Sequence, residues 1–446
     1  MNRKNRALDA WADGRQSLFR FLALTAAAET PHPMRTPTLN TLMTASERRA
    51  SLSLASIFAL RMLGLFLVLP VFALEAAHFP GGDDPARVGL AMGIYGLTQG
   101  LLQIPFGLAS DWLGRKRVII VGLLVFAVGS FVAMAATDLT ELIIGRSVQG
   151  AGAISAAVTA LLADQTRDEV RTKAMALVGI SIGLMFALSL VVAPLLTAHI
   201  GLGGLFALTG LFALTGMAVV AWVVPPEPEK PAHRPRGSLK LVLQEPALLR
   251  LNFGVFVLHA VQLAMWLAIP ALLVQAGLDK TAHWQVYLPA VLASFGVLGG
   301  VLFPLERRGY LRAVFLASIG LILLVQLGFM WTAYQVSFAA PSLATLTVLL
   351  FVFFCGFNVL ESCQPSLASR AAPAHARGAA LGVYNTLQSL GFFAGGAIGG
   401  WLAKSAGPSA LFMACSALML LWLLLAWPMH APSTSAAQLG QLKSAN

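Results

Sequence analysis

Apolar positions in this chain come in long blocks separated by short polar segments. Runs bounded by charge, Pro or Gly fall near 51–77, 87–111, 117–137, 139–163, 171–198 and 203–224. A second set falls near 248–276, 283–305, 311–332, 342–369, 378–403 and 408–428. Blocks of about twenty residues match a helix crossing a hydrocarbon core of about 30 Å. In lipid only a helix satisfies its own backbone groups without closing a barrel. The pattern predicts an all-α polytopic membrane protein with twelve transmembrane helices.

The polar segments divide the chain. After the sixth block come Pro225-Pro226-Glu227-Pro228-Glu229-Lys230-Pro231, then Pro235 and Gly237, too rich in proline for a continuous helix. This predicts six-helix halves at 46–224 and 248–428, a linker at 225–247 and a tail at 429–446. Residues 238–247 read either as a short amphipathic surface helix or as ordinary linker. Residues 18–28, after Arg15, faintly resemble a signal segment, but Arg20 interrupts them and no soluble domain follows. Residues 1–45 are expected to be a disordered extension or to follow a start placed too early, with Met43 the better one.

Composition agrees with a bilayer as solvent. The 446 residues are 57% apolar and 11% charged, against roughly 25% charged in soluble domains. The net charge of +11 does not point to nucleic acid, because the basic residues occupy alternate loops. With both termini cytoplasmic, 25 of the 30 Lys and Arg lie inside and only Arg87, Lys280 and Lys404 lie opposite. That bias predicts this orientation in the inner (cytoplasmic) membrane. Cys355, Cys363 and Cys415 lie in apolar blocks without metal-ligand spacing, so neither a disulfide framework nor a metal site is expected.

The loop after the second block reads Gly107-Leu108-Ala109-Ser110-Asp111-Trp112-Leu113-Gly114-Arg115-Lys116-Arg117. Gly107 permits close helix approach, Asp111 suits a facing helix N-terminus, and Gly114 allows a tight reversal before Arg115 and Lys116. As a bare pattern this is also a positive-inside loop. Its offsets resemble the G-x-x-x-D-R-x-G-R-[RK] signature of the major facilitator superfamily, although Trp112 stands where a basic residue is usual. In the fourth block Arg146-Ser147-Val148-Gln149-Gly150-Ala151-Gly152-Ala153 resembles R-x-x-Q-G-x-G-A. In the fifth, Ala193-Pro194 is followed by Leu195 and Leu196 rather than by the glycines frequent in proton antiporters.

Arg61–Pro70, Gly93–Gln99, Asp164–Ala174, Leu251–Gly254 and Gly382–Tyr384 bring the resemblance, over about residues 43–428, to the drug/proton antiporter group. One branch of that group continues into a small soluble C-terminal domain, which is not expected in a chain stopping at Asn446. The resemblance implies the major facilitator fold of two pseudo-symmetric halves and proton-coupled efflux of small amphipathic compounds. It also implies that Asp111 faces the start of the eleventh span and that Arg115 pairs with Asp164, closing the cytoplasmic side when the outer side is open.

An ionisable residue inside a membrane is a functional hypothesis by default, and an arginine there costs at least about 2.5 kcal/mol. The set is Arg61, Arg146, His259 and Glu361, with Glu75 and Glu141 nearer the outer interface. Arg61 and His259 lie at similar depth in the first and seventh spans, near the midplane where such transporters bind. Glu361, beside Asn358 and Gln364, could load and release a proton as access alternates, and so could His259. The alternatives are a packing pair for His259 and Glu361 and snorkelling for Arg146. Tyr95, Gln99, Gln103, Asn358, Asn385 and Gln388 are candidate cavity-lining groups. Gly391, Gly395, Gly396, Gly399 and Gly400 give the eleventh span small-xxx-small spacing.

No nucleotide-binding loop occurs, so the expected energy source is a proton gradient with no cofactor, and the expected partners are a small molecule, protons and lipid, in a monomer. Import of a sugar or organic acid, with Arg61 or Arg146 binding the anion, is the rival reading. A membrane sensor or intramembrane enzyme is a third. Gly179-Ile180-Ser181-Ile182-Gly183 mimics a hydrolase elbow but lies in an apolar helix, without the strand-turn-helix context that chemistry needs.

Overall fold

The computed structural model describes residues 42–429 apart from 228–238, 303, 306, 307, 309, 337, 374 and 375. The reading of residues 1–45 therefore lies almost wholly outside the described residues, as does the tail. The first span is the helix Ala45–Ala76, opened by a reciprocal cap in which Thr44 Oγ1 accepts from Glu47 N and Glu47 accepts from Thr44 N. The second and third, Pro85–Leu113 and Arg115–Met134, meet at Gly114, whose φ of 97° makes the one-residue reversal.

The fourth span departs from the single helix expected over 139–163. It runs Leu139–Ala151, breaks, and resumes as Ser155–Asp164. Around the break, glycines let backbones touch. A Cβ on Gly150 would lie 2.2 Å from Tyr95 O, and one on Gly152 would lie 2.4 Å from Gly122 O.

The fifth and sixth spans form one helical run, Asp168–Ala218, that turns at Gly201 with φ 64°. The eleventh and twelfth form another, Arg377–Ala426, that turns at Gly407 with φ 82°. A single left-handed glycine at equivalent places in both halves replaces the short loops expected there. Helices Pro246–Gln275, Trp284–Val297, Leu311–Gln335 and Leu343–Ala371 complete the second half. Within 238–247 a six-residue helix, Leu239–Gln244, leads into the seventh span. Among the described residues the result is an all-helical, multi-pass membrane bundle in two halves.

The halves meet along two lines. Centrally, Phe186 of the fifth span packs edge-on against Phe66 of the first at 5.1 Å and Phe354 of the tenth at 6.0 Å between ring centroids. The second and eleventh spans touch backbone to backbone. A Cβ on Gly89 would sit 2.2 Å from Gly396 O, and one on Gly96 would sit 2.3 Å from Ser389 O. Gly391 and Gly395 face the other way, against Phe256 O and Ala260 O of the seventh span. With no hydrophobic drive between helices in lipid, such close approach supplies the packing energy. Nearer the signature loop, Gly378 and Gly382 have no described atom within 4 Å of where a Cβ would lie.

Candidate functional site

The signature loop is the most densely bonded polar region. Arg115, buried, pairs with Asp111 at 2.6 Å, donates through Nε to Asp164 at 3.2 Å and donates to Ser110 Oγ at 2.6 Å. Asp111 itself is half-exposed. The third span has no side-chain cap of its own at Gly114. Glu227, in the linker, supplies one, accepting from Arg115 N at 3.1 Å and Lys116 N at 2.7 Å. Sequence reasoning passed over Glu227 because it sits in a proline-rich stretch that reads only as a spacer.

At mid-bundle the first half holds a buried arginine with no carboxylate partner among the described residues. Arg61, 1% exposed, donates to Tyr95 OH at 2.7 Å, Ser155 Oγ at 3.1 Å and Gln99 Oε1 at 3.2 Å. Its guanidinium lies 5.4 Å from the Phe126 ring centroid. Arg146, equally buried, does not snorkel. It donates to Gln149 Oε1 at 2.7 Å, to Met92 O at 3.2 Å and to Ala91 O at 3.4 Å, and lies 5.0 Å from the Tyr95 ring centroid. Tyr95 thus has one arginine at its hydroxyl and another at its face. Ser155 was missed because a lone serine in an apolar helix carries no signal by itself. The break before it places it at the first position of a new helical turn.

The second half holds a different set. His259, 2% exposed, is fixed through Nδ1 to Val255 O at 2.9 Å. Its Nε2 lies 2.7 Å from Gln388 Nε2 and 3.3 Å from Glu361 Oε2. Gln388 also reaches Glu361 Oε1 at 3.5 Å. The Glu361 side chain is 34% exposed, although its Oε2, the oxygen nearest the imidazole, is buried with the histidine. A carbonyl accepts only, so Nδ1 must carry a proton in this geometry. Nε2 is left to accept from Gln388 when the ring is neutral, or to donate to Glu361 when it is protonated.

The remaining candidates are dispersed. Asn358 donates to Ser294 Oγ at 2.8 Å, away from both clusters. Gln103 is fully buried with neither amide atom bonded among the described residues, and the backbone carbonyl of Asn385 accepts from Ser389. No hydrogen bond or ion pair among the described residues joins the Arg61 cluster to the His259 cluster. No group of three His, Cys, Asp or Glu that could hold a metal occurs among the described residues. Ser181, in the apparent hydrolase motif, bonds its own helix at Val178 O, 2.7 Å away.

On the face opposite the signature loop, all three cations are tied down. Lys404 pairs with Asp84 and Lys280 with Glu75, each at 2.7 Å and each across the two halves. Arg87 donates to Thr140 Oγ1 at 2.8 Å within the first half. The Lys404 ammonium, bonded to the Asp84 carboxylate, holds that group below its ordinary value of 3.8.

A multi-pass helical bundle with ionisable groups buried at the middle of each half suits a membrane transporter. The chain belongs to the Major Facilitator Superfamily, whose family model matches residues 54–396. It is 42% identical over 394 residues to the inner membrane transport protein YajR of Escherichia coli, covering 87% of this chain and 85% of that protein. It is 24% identical over 370 residues to the quinolone resistance protein NorA of Staphylococcus aureus, covering 79% and 89%. Among solved structures, the human organic anion transporter MFSD10 superposes with a TM-score of 0.64 at 19% identity, over 86% of this chain and all of that one.

Proposed function

We propose that this protein is a proton-coupled exporter of small amphipathic compounds, working by alternating access in the inner membrane as a monomer with both termini in the cytoplasm. The observation that carries this reading is the His259–Gln388–Glu361 set. It joins a buried imidazole, through the Nε2 that meets both Gln388 and Glu361, to a partly exposed carboxylate side chain, at the depth where transporters of this build bind substrate. The proton moves between His259 Nε2 and Glu361 as the pair is opened to one side and then the other. Arg61, always charged, repels a proton or cation at one stage of the cycle and organises Tyr95 and Gln99 in the cavity. Similarity to NorA supports a drug-like substrate.

The described contacts suit a state closed on the outer side. The Gly89–Gly396 seam and the pairs of Lys280 and Lys404 hold that face together. The Arg115–Asp164 pair is already made here, within the first half, so it does not itself mark closure. In the alternate state the loop around Asp111, Gly114, Arg115 and Lys116 closes the cytoplasmic side as Asp111 meets the start of the eleventh span. The test is transport of an amphipathic cation in proteoliposomes under an imposed pH gradient. Accumulation should follow the gradient, with protons moving oppositely; substrate flux with no coupled proton movement excludes antiport.

One observation favours a second reading, uptake of an organic anion. Arg61 and Arg146 have only neutral partners among the described residues, so either could accept a carboxylate. Binding of an acid that is lost in Arg61→Gln while cation transport is absent would select it.

A further inference from the structure

Where the first, third and sixth spans end beside the signature loop, the surface forms a groove of about 530 Å³ lined by Ser46, Arg49, Lys116, Trp222, Val224 and Pro226. We propose that this groove binds the phosphodiester head group of an anionic phospholipid, independently of the transported substrate.

The backbone brings the two cations together. Arg49 Nε donates to Val223 O at 2.9 Å and Lys116 Nζ donates to the next carbonyl, Val224 O, at 2.7 Å. Each head spends one donor this way. Neither Nη of Arg49 and no further hydrogen of Lys116 meets an acceptor among the described residues. The nearby carboxylate, Glu227, accepts from the amides of Arg115 and Lys116, one on each oxygen, and makes no hydrogen bond to either cationic head among the described residues. Two adjacent cations with donors to spare are the chemistry of a phosphate site. The first turn of the first span also lines the groove and adds the positive end of a helix dipole.

The surroundings point to a lipid as the source of that phosphate. Trp222 is 79% exposed at the end of its span, as an interfacial aromatic is. From the groove toward the bundle's middle, the same first and third spans expose Leu52 at 54%, Val121 at 53% and Leu124 at 47%. An acyl chain would lie along that strip while its head group reaches the cations, as basic pockets between helices hold anionic lipids.

The test compares purified full-length protein in detergent with added phosphatidylglycerol, phosphatidylcholine or inorganic phosphate, by native mass spectrometry and thermal unfolding. Phosphatidylglycerol should remain bound at about one copy and raise the melting temperature, while phosphatidylcholine and inorganic phosphate do neither. Arg49→Gln should lower that occupancy about fivefold, as loss of one membrane-surface cation does, and adding Lys116→Gln should remove it. Arg87→Gln, on the opposite face, should leave it unchanged. Should the double variant fail to fold, Arg49→Gln and Trp222→Ala carry the test. Equal retention of the two lipids, unchanged occupancy in Arg49→Gln, or equal stabilisation by inorganic phosphate would each overturn the lipid site.

Discussion

The two halves of this protein share a helical plan, down to the single glycine that turns each final hairpin, and yet place opposite kinds of charge at its centre. In the first half Arg61 and Arg146 are 1% exposed and held by neutral acceptors. Their charge is permanent, and only hydrogen bonds offset its burial. In the second half His259 Nε2 lies 3.3 Å from Glu361 Oε2, and in the proposed mechanism the two exchange a proton. In the proposed mechanism, a fixed charge in one half and a switchable one in the other let occupancy of the proton site change how strongly the halves attract or repel a charged substrate.

The largest effect should come from removing the switch. Glu361→Gln is expected to abolish gradient-driven accumulation while leaving substrate exchange without a gradient near wild type, whereas Arg61→Gln should weaken both. Loss of exchange and accumulation together in Glu361→Gln would erase the distinction between the halves. Next, the seam between them should resist even one methyl group. Gly96→Ala puts a Cβ about 2.3 Å from Ser389 O, and overpacking of this kind costs about 1–3 kcal/mol. The ratio of outer-closed to outer-open molecules falls roughly 5- to 150-fold, read as increased labelling of cysteines placed on the outer side.

A smaller effect is expected of Arg61→Lys. The charge is kept, but an ammonium lacks the planar fork that reaches Tyr95, Ser155 and Gln99 together. Leaving one such buried group unsatisfied costs about 1–3 kcal/mol, seen as a melting temperature several degrees lower with substrate coupling intact. The smallest concerns the outer tie. The Asp84 carboxyl is depressed by Lys404, so its contribution is complete above the ordinary carboxylate range and is lost as pH falls through and below it. Outer-side labelling should rise slightly in acid and not in Lys404→Gln, and the exchange Asp84→Lys with Lys404→Asp should restore the wild-type response.

The spans were legible because a bilayer imposes a length and a polarity that few other environments do. Arg61, His259 and Glu361 were legible for the same reason, since a charge in an apolar block stands out. Partners were harder to read. Ser155, Gln388 and Gln149 are ordinary polar residues whose meaning depends on which helix faces them. The break at 152–154 lies among glycine contacts with Tyr95 and Gly122 that no local pattern encodes. The outer ties left a faint mark. Lys280 and Lys404 were exceptions to the charge bias, and both cross between the halves. Glu227 left none, because its role depends on an uncapped helix 112 residues away in sequence from the acid that caps it.

The most direct measurement is proton release on ligand binding, followed with a pH indicator in weakly buffered detergent solution after adding an amphipathic cation that stabilises the purified protein. Wild type and Arg61→Lys should release protons in proportion to the ligand bound, and the double variant His259→Gln/Glu361→Gln should bind without releasing any. Release at the wild-type level from that double variant would contradict the assignment of the proton to the second half.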